Sequence, residues 1–244
     1  MKKLLAAAVA LATAIALTAC GGSSSTSIQS TASNEKVYKI GVLQLTQHAA
    51  LDKCNEGFFA ALDEAGIKYE ADQQNASGDQ SACQTIAEKL VNDGNDLIYA
   101  IATPAAQAVT GVTTDIPVVI SAITDPAESG LVASNDAPGG NVTGTSDLTP
   151  IKEQIELLKQ ILPEASKIGI LYCSAESNSE IQAEIARQAC ADNGLEPIDF
   201  TVSGLNEIQT VVESMVGKVD AIYTPTDNTI ANGMPTVAMV ATDN

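Results

Sequence analysis

Tryptophan is absent from this chain, phenylalanine occurs three times, and His48 is its single histidine. Sugar pockets depend on aromatic faces that stack against the ring, so this aromatic set disfavours a carbohydrate site. One histidine and no C-x-x-C leave zinc without a ligand set. No G-x-G-x-x-G follows the first strand-like run and no G-x-x-x-x-G-K-[ST] occurs, so nucleotide cofactors lack their phosphate cradle. A G-x-S-x-G elbow is also missing, and no nucleophile motif surrounds His48 to make it a general base. The chain therefore reads as a protein without cofactor, metal or catalytic residue, with His48 as a binding or surface side chain. Basic residues are scarce as well: 12 Lys and Arg stand against 30 Asp and Glu, a formal charge of −18. Such a surface is repelled by phosphate backbones, which excludes nucleic acid as a partner.

What the chain does have begins at its N-terminus. Lys2 and Lys3 precede an apolar, alanine-rich run that is too short for a convincing membrane span, and residues 1–19 read as a secretory signal peptide. The run ends in Leu17-Thr18-Ala19-Cys20, which resembles the lipobox of bacterial lipoproteins and implies lipidation at Cys20. Residues 20–35 are rich in Ser, Thr and Gly and carry no core-forming pattern, as a tether does. Acyl chains then supply the membrane affinity. The expected location is extracytoplasmic, lipid-anchored at the outer face of the cytoplasmic membrane or in a periplasm. Four further cysteines, Cys54, Cys83, Cys173 and Cys190, allow three full pairings in an oxidising compartment. Cys54 and Cys83, each expected in the first turn of a helix, are one candidate pair; buried free thiols are the other reading.

From Lys36 onward strand-like and helix-like segments alternate. "KVYKIGVL" is an apolar strand, "ALDKCNEGFFAALDEAG" has helical spacing up to Gly66, and "QSACQTIAEKLVNDG" has it up to Gly94. "DLIYAIA" and "IPVVISAI" are further strands, with a short helix opened by Pro104 between them. Alternation of this kind implies β-α-β units with parallel sheets and right-handed crossovers. The pattern then starts again. Lys39-Ile40-Gly41-Val42-Leu43 is echoed 128 residues later by Lys167-Ile168-Gly169-Ile170-Leu171, and "DLIYAIATPAAQ" 124 residues later by "DAIYTPTDNTIA". Two echoes at nearly one spacing predict two Rossmann-like α/β lobes, residues 36–147 and 148–244.

Open parallel sheets bind ligands beyond the carboxyl ends of their strands. Thr103 before Pro104 can cap its helix or face a ligand there. Asp227, at the end of an apolar strand, needs a cation if the lobes close over it, unless it is a plain helix cap. A free amino acid would satisfy such a site, its ammonium at Asp227 and its carboxylate among donors near Thr103 and Thr145. "SAITDPAESGLV" and "GGNVTGTSDLTP" bring Asp125, Thr145 and Ser146 to the same region, although turn chemistry alone favours such residues. In "YCSAESNSE", Ser177 and Glu180 match a capping box, while Ser174 and Asn178 can face the cleft.

Taken together, "TPAAQA", "TDPAESGLV", "GGNVTGTSDLTPIKEQIELLKQILP", "KIGILYCSAESNS" and "VDAIYTPTDNTIA" resemble the family of ABC-transporter substrate-binding proteins typified by the tryptophan-binding lipoprotein TrpX. The resemblance runs from Lys36 to the end of the chain. It implies a type 1 periplasmic-binding fold, a monomer that closes on an aromatic amino acid and hands it to an ABC permease and ATPase complex. Carried over by motif, ligand contacts fall at Thr103, Asp125, Thr145, Ser146, Asn178, Asp227 and Asn228. Members of the family continue beyond the last helix seen here, so the second lobe is expected to be incomplete, with an open sheet edge and an uncovered apolar surface. The alternatives are a sensory subunit reporting to a receptor, and a binding protein for another solute such as a branched-chain amino acid or nucleoside.

Overall fold

The structure is a computed structural model and describes residues 36–243. The expected signal peptide, Cys20 and the tether lie outside the described residues. The described residues form eight strands and seven α-helices in two parallel sheets.

The first sheet holds β1 (Val37–Gln44), β2 (Lys68–Asn75), β3 (Leu97–Ile101), β4 (Val118–Ile123) and β5 (Val142–Ser146) in the order β2-β1-β3-β4-β5. Helices α1 (Ala49–Glu64), α2 (Gln80–Asn92) and α3 (Thr103–Thr110) supply the crossovers. Central strands are buried on both faces, as parallel sheets require; Ile98 to Ile101 is a continuous buried run. Gly66 and Gly94, where the periodicity predicts helix ends, take the left-handed conformation with φ of 68° and 69° just past α1 and α2.

The second sheet has the order β7-β6-β8, from β6 (Lys167–Cys173), β7 (Glu196–Val202) and β8 (Ala221–Tyr223). It is flanked by α4 (Ile151–Ile161), α5 (Ser177–Asp192), α6 (Ile208–Met215) and α7 (Asn228–Asp243). Alternation along β6 sends Ile168, Ile170 and Tyr172 into a core with α4 and α5. Leu171 and Cys173 go to the other face, against α6 and α7. β7 and β8 are the edge strands, and a groove of about 430 Å³ runs beside β8 between Val212, Met215, Val219 and Val237.

Both echoes identified in the sequence occupy equivalent places, β1 with β6 and β3 with β8. The two lobes predicted from them are thus two sheets with a common core order. Two local expectations need correction. Of the two readings of the cysteines, the four described ones follow the free-thiol one, but Cys54 is only half-buried and lies in the second turn of α1 rather than its first. Ser177 and Glu180 form no capping box: Glu176 is the residue before the first turn of α5, so Ser177 falls one position too late, and Glu180 pairs instead with Arg187 at 2.7 Å.

Candidate ligand-binding site

The carboxyl ends of both sheets face each other, and the lobes touch there through neutral amides. Gln107 Nε2 donates to Ser177 Oγ at 3.1 Å, Gln182 Nε2 to Thr124 Oγ1 at 3.2 Å, and Asn232 Nδ2 to Thr46 Oγ1 at 3.2 Å. Gln80 Nε2 meets the carbonyl of Ala175. Among the described residues no ion pair crosses between the lobes. Neutral bonds of this kind contribute only about 1 kcal/mol each.

Two cavities flank these contacts. One, of about 320 Å³, lies between α1, the end of β4, the segment after β5 and the β8–α7 loop. Leu51, Ala122 and Met234 give it apolar walls, and Thr145, Asp147, Asn178 and Asp227 give it polar ones. The other, of about 500 Å³, is lined by Thr46, Gly78, Glu176, Gly204 and Asn232. Asn228 lines both.

The backbone of the first lobe is forced at this end. Ser77, Ala102 and Ala122, all at or just beyond strand ends, have φ of 54°, 79° and 55° without being glycine. Side chains rarely adopt that region, and such strain clusters where a loop is shaped for a ligand. A bulge between Ile120 and Ile123 of β4 accompanies it, re-aiming Thr124 toward the cleft.

In the second lobe the polar groups are used differently. Asp227 is 3% exposed; its Oδ1 accepts the N–H of Ile230 at 2.7 Å and its Oδ2 that of Cys173 at 2.6 Å. It therefore caps α7 and ties that helix to the end of β6. Glu176, which the sequence reading passed over, holds the same helix end. It accepts from Asn228 N and Nδ2 at 3.2 and 2.6 Å, and from Thr229 N and Oγ1 at 2.9 Å each. Burial, and then the charge of Glu176, raise the pKa of Asp227 above the ordinary carboxylate value.

Of the residues carried over by motif, Thr145, Asn178, Asp227 and Asn228 line the smaller cavity, while Thr103, Asp125 and Ser146 do not. Thr103 is buried in the first turn of α3. Asp125 Oδ1 closes its own turn, accepting from Ala127 N, Glu128 N and Asn135 Nδ2 at 3.0, 3.1 and 2.9 Å. Ser146 Oγ donates to Thr124 O at 2.6 Å. His48 caps α1 through Nδ1, which accepts Ala50 N–H at 3.3 Å, and also lines the cavity. Asp147 is a lining residue that the sequence did not single out, because "TSDLTP" reads as turn chemistry. Its N–H is fixed to Ile123 O at 2.8 Å; the residue as a whole is exposed, and the protein atoms around its carboxyl raise that group's pKa by partial desolvation. Among the described residues no cluster of His, Cys, Asp and Glu is built to hold a metal ion.

Two parallel α/β lobes that meet over a cavity at their strand ends define the type 1 periplasmic-binding architecture. Residues 39–244 match the family model described as ABC transporter substrate binding protein, and the chain belongs to that family. A curated relative, "Tyrosine-binding protein" of Clostridioides difficile (strain R20291), is 43% identical over 235 residues, covering 93% of this chain and 68% of the relative. An ABC domain in complex with L-Trp from Streptococcus pneumonia is 44% identical, with a TM-score of 0.82 over 85% of this chain and 72% of that one. The ligand-free, open structure of a substrate binding protein with adhesive properties from Clostridium difficile is 42% identical at the same coverage, and its TM-score is 0.59.

Proposed function

We propose that the protein is the extracytoplasmic solute receptor of an ABC importer, anchored by lipid at Cys20, and that it binds an aromatic amino acid, tryptophan or tyrosine, between its lobes. It performs no chemistry. Closure excludes water from the ligand's polar ends and presents a loaded form to the permease. One observation carries the reading: a cavity at the strand ends combines the carboxylates of Asp147 and Asp227 with apolar walls from Leu51, Ala122 and Met234. A zwitterion with a flat apolar side chain complements that combination. The lobe arrangement supports it as well. It resembles the tryptophan complex at a TM-score of 0.82 and the ligand-free open form at 0.59, at similar identity.

Calorimetric titration with tryptophan, tyrosine, phenylalanine, leucine and a nucleoside tests the ligand. Micromolar or tighter binding of one aromatic amino acid is expected; a signal from the nucleoside or leucine alone would overturn the assignment. For the anchor, Cys20→Ser is expected to move the protein from the membrane fraction to the soluble one and to abolish incorporation of a labelled fatty acid. Unchanged membrane retention would rule the anchor out.

A further inference from the structure

We propose that the ammonium group of the ligand is received by Asp147 and by Oδ1 of Asn178, one from each lobe, and that Asp227 serves the fold rather than the ligand. The proposal rests on the reading of the cleft as an amino-acid site.

Asp227 is the carboxylate that pattern alone selects for a cation. Yet each of its oxygens already accepts a backbone N–H, from Ile230 and from Cys173. Glu176 beside it takes donors from Asn228 and Thr229 on both oxygens. Each oxygen of Asp227 keeps a lone pair, but the two backbone amides tie the carboxylate to the helix end and to β6, so it is placed for the fold first.

Asp147 is the opposite case. It lines the same cavity, and among the described residues its carboxylate, like that of Asp227, meets no cation; it has no side-chain donor and bonds its own backbone N–H rather than a helix end. Its backbone is pinned to the end of β4, so its position comes from the sheet. Asn178 faces the cavity from the second lobe and is 3% exposed, and its Oδ1 is buried without a hydrogen-bond partner. The amide orientation is forced. Nδ2 is directed at three acceptors, Thr226 O at 3.2 Å, Ser179 Oγ at 3.3 Å and Glu176 Oε2 at 3.5 Å, so a flipped amide would set oxygen against oxygen. A buried acceptor left unpaired is expensive, and it calls for a donor that arrives later.

The two groups are brought together by the closing contact itself. Asp147 N–H binds Ile123 O; Thr124, the next residue, accepts from Gln182; and Gln182 and Asn178 share the carbonyl of Thr226. An ammonium offers three N–H donors and one positive charge, and it supplies what both acceptors lack. Because they belong to different lobes, binding it favours the closed form.

The test titrates wild type, Asp147→Asn, Asp147→Ser and Asp227→Asn with tyrosine and tryptophan, and with the matching propionates that lack the ammonium. Wild type is expected to prefer the amino acids. Both Asp147 variants should lose roughly ten- to a hundredfold in affinity for them, with unchanged affinity for the propionates and unchanged melting temperature. Asp227→Asn should melt earlier and keep the preference. Full affinity in both Asp147 variants, with the preference lost in Asp227→Asn, would overturn the proposal while leaving the cleft an amino-acid site. Wild type that binds none of these compounds would overturn the reading of the cleft itself.

Discussion

The two lobes are most alike where their strands begin and least alike where they end. At the start, Asp96 donates its N–H to Lys39 O at 2.8 Å and accepts Lys39 N–H on Oδ2 at 2.9 Å. Asp220 and Lys167 repeat both bonds at 2.8 and 2.9 Å. Both carboxyls are held below the ordinary range by such bonds, Asp96 chiefly by Lys39 N–H and Asp220 chiefly by Ser166 N–H. At the other end the lobes part. The first stores strain at Ala102 and Ala122 and leaves α3 without a side-chain cap. The second locks the start of α7 under two buried carboxylates, Glu176 and Asp227. An internal repeat thus separates two regions of the fold: the shared ends hold each sheet together, and the divergent ends line the cavities between the lobes.

The sharpest way to break the comparison is Asp227→Ala. It strips the acceptor from two buried backbone amides, Cys173 and Ile230, at a cost on the order of 3 kcal/mol in urea unfolding. A change within a few tenths would mean the second lobe is not locked there. Next comes Gly144→Ala in β5, where a Cβ would stand 2.0 Å from the carbonyl oxygen of Ile120 in the neighbouring strand. Backbone cannot yield as a side chain does, so a loss of about 2 kcal/mol is expected by the same measurement. By contrast Gly169→Ala meets the flexible end of Met215 and should be milder.

Ala102→Gly sharpens the comparison from the other side. Its φ of 79° and ψ of 151° fall in a region open essentially to glycine, so relief of strain should raise stability by about 1 kcal/mol. An unchanged or lower melting temperature would show the first lobe unstrained at that point. The smallest effect concerns acid. Asp96 and Asp220 have native pKa values below the ordinary 3.8, so their stabilisation is complete above that value and is lost as pH falls through the lowered ones. Asp227, raised instead, works against the second lobe as pH rises through its native value. Asp96→Asn and Asp220→Asn should therefore each blunt the acid limb of a stability–pH curve, by similar amounts if the repeat is real.

Much of the scaffold was legible in the residues. Alternating apolar runs, glycines past helix ends and two spaced echoes are local signals, and each came out as a strand, a helix stop or a repeated sheet position. The site was legible only in part. Asp125 and Ser146 carry ligand-shaped chemistry, but Asp125 spends it on its own turn and Ser146 on the carbonyl of Thr124 beyond the neighbouring strand. Glu176 reads as a surface residue in "SAES", and nothing local tells that the end of α7 descends upon it. Asp147 hides in a turn motif for the same reason. Which polar group is saturated and which is left open depends on loops that meet from distant parts of the chain.

The most direct test of the account is a crystal structure of the protein grown with tyrosine or tryptophan. The account predicts the amino acid in the cavity between α1 and the β8–α7 loop, its ammonium within hydrogen-bond distance of Asp147 and Asn178 Oδ1. A ligand seated instead in the cavity beside Glu176 and Gly204, or an ammonium bound to Asp227, would contradict it.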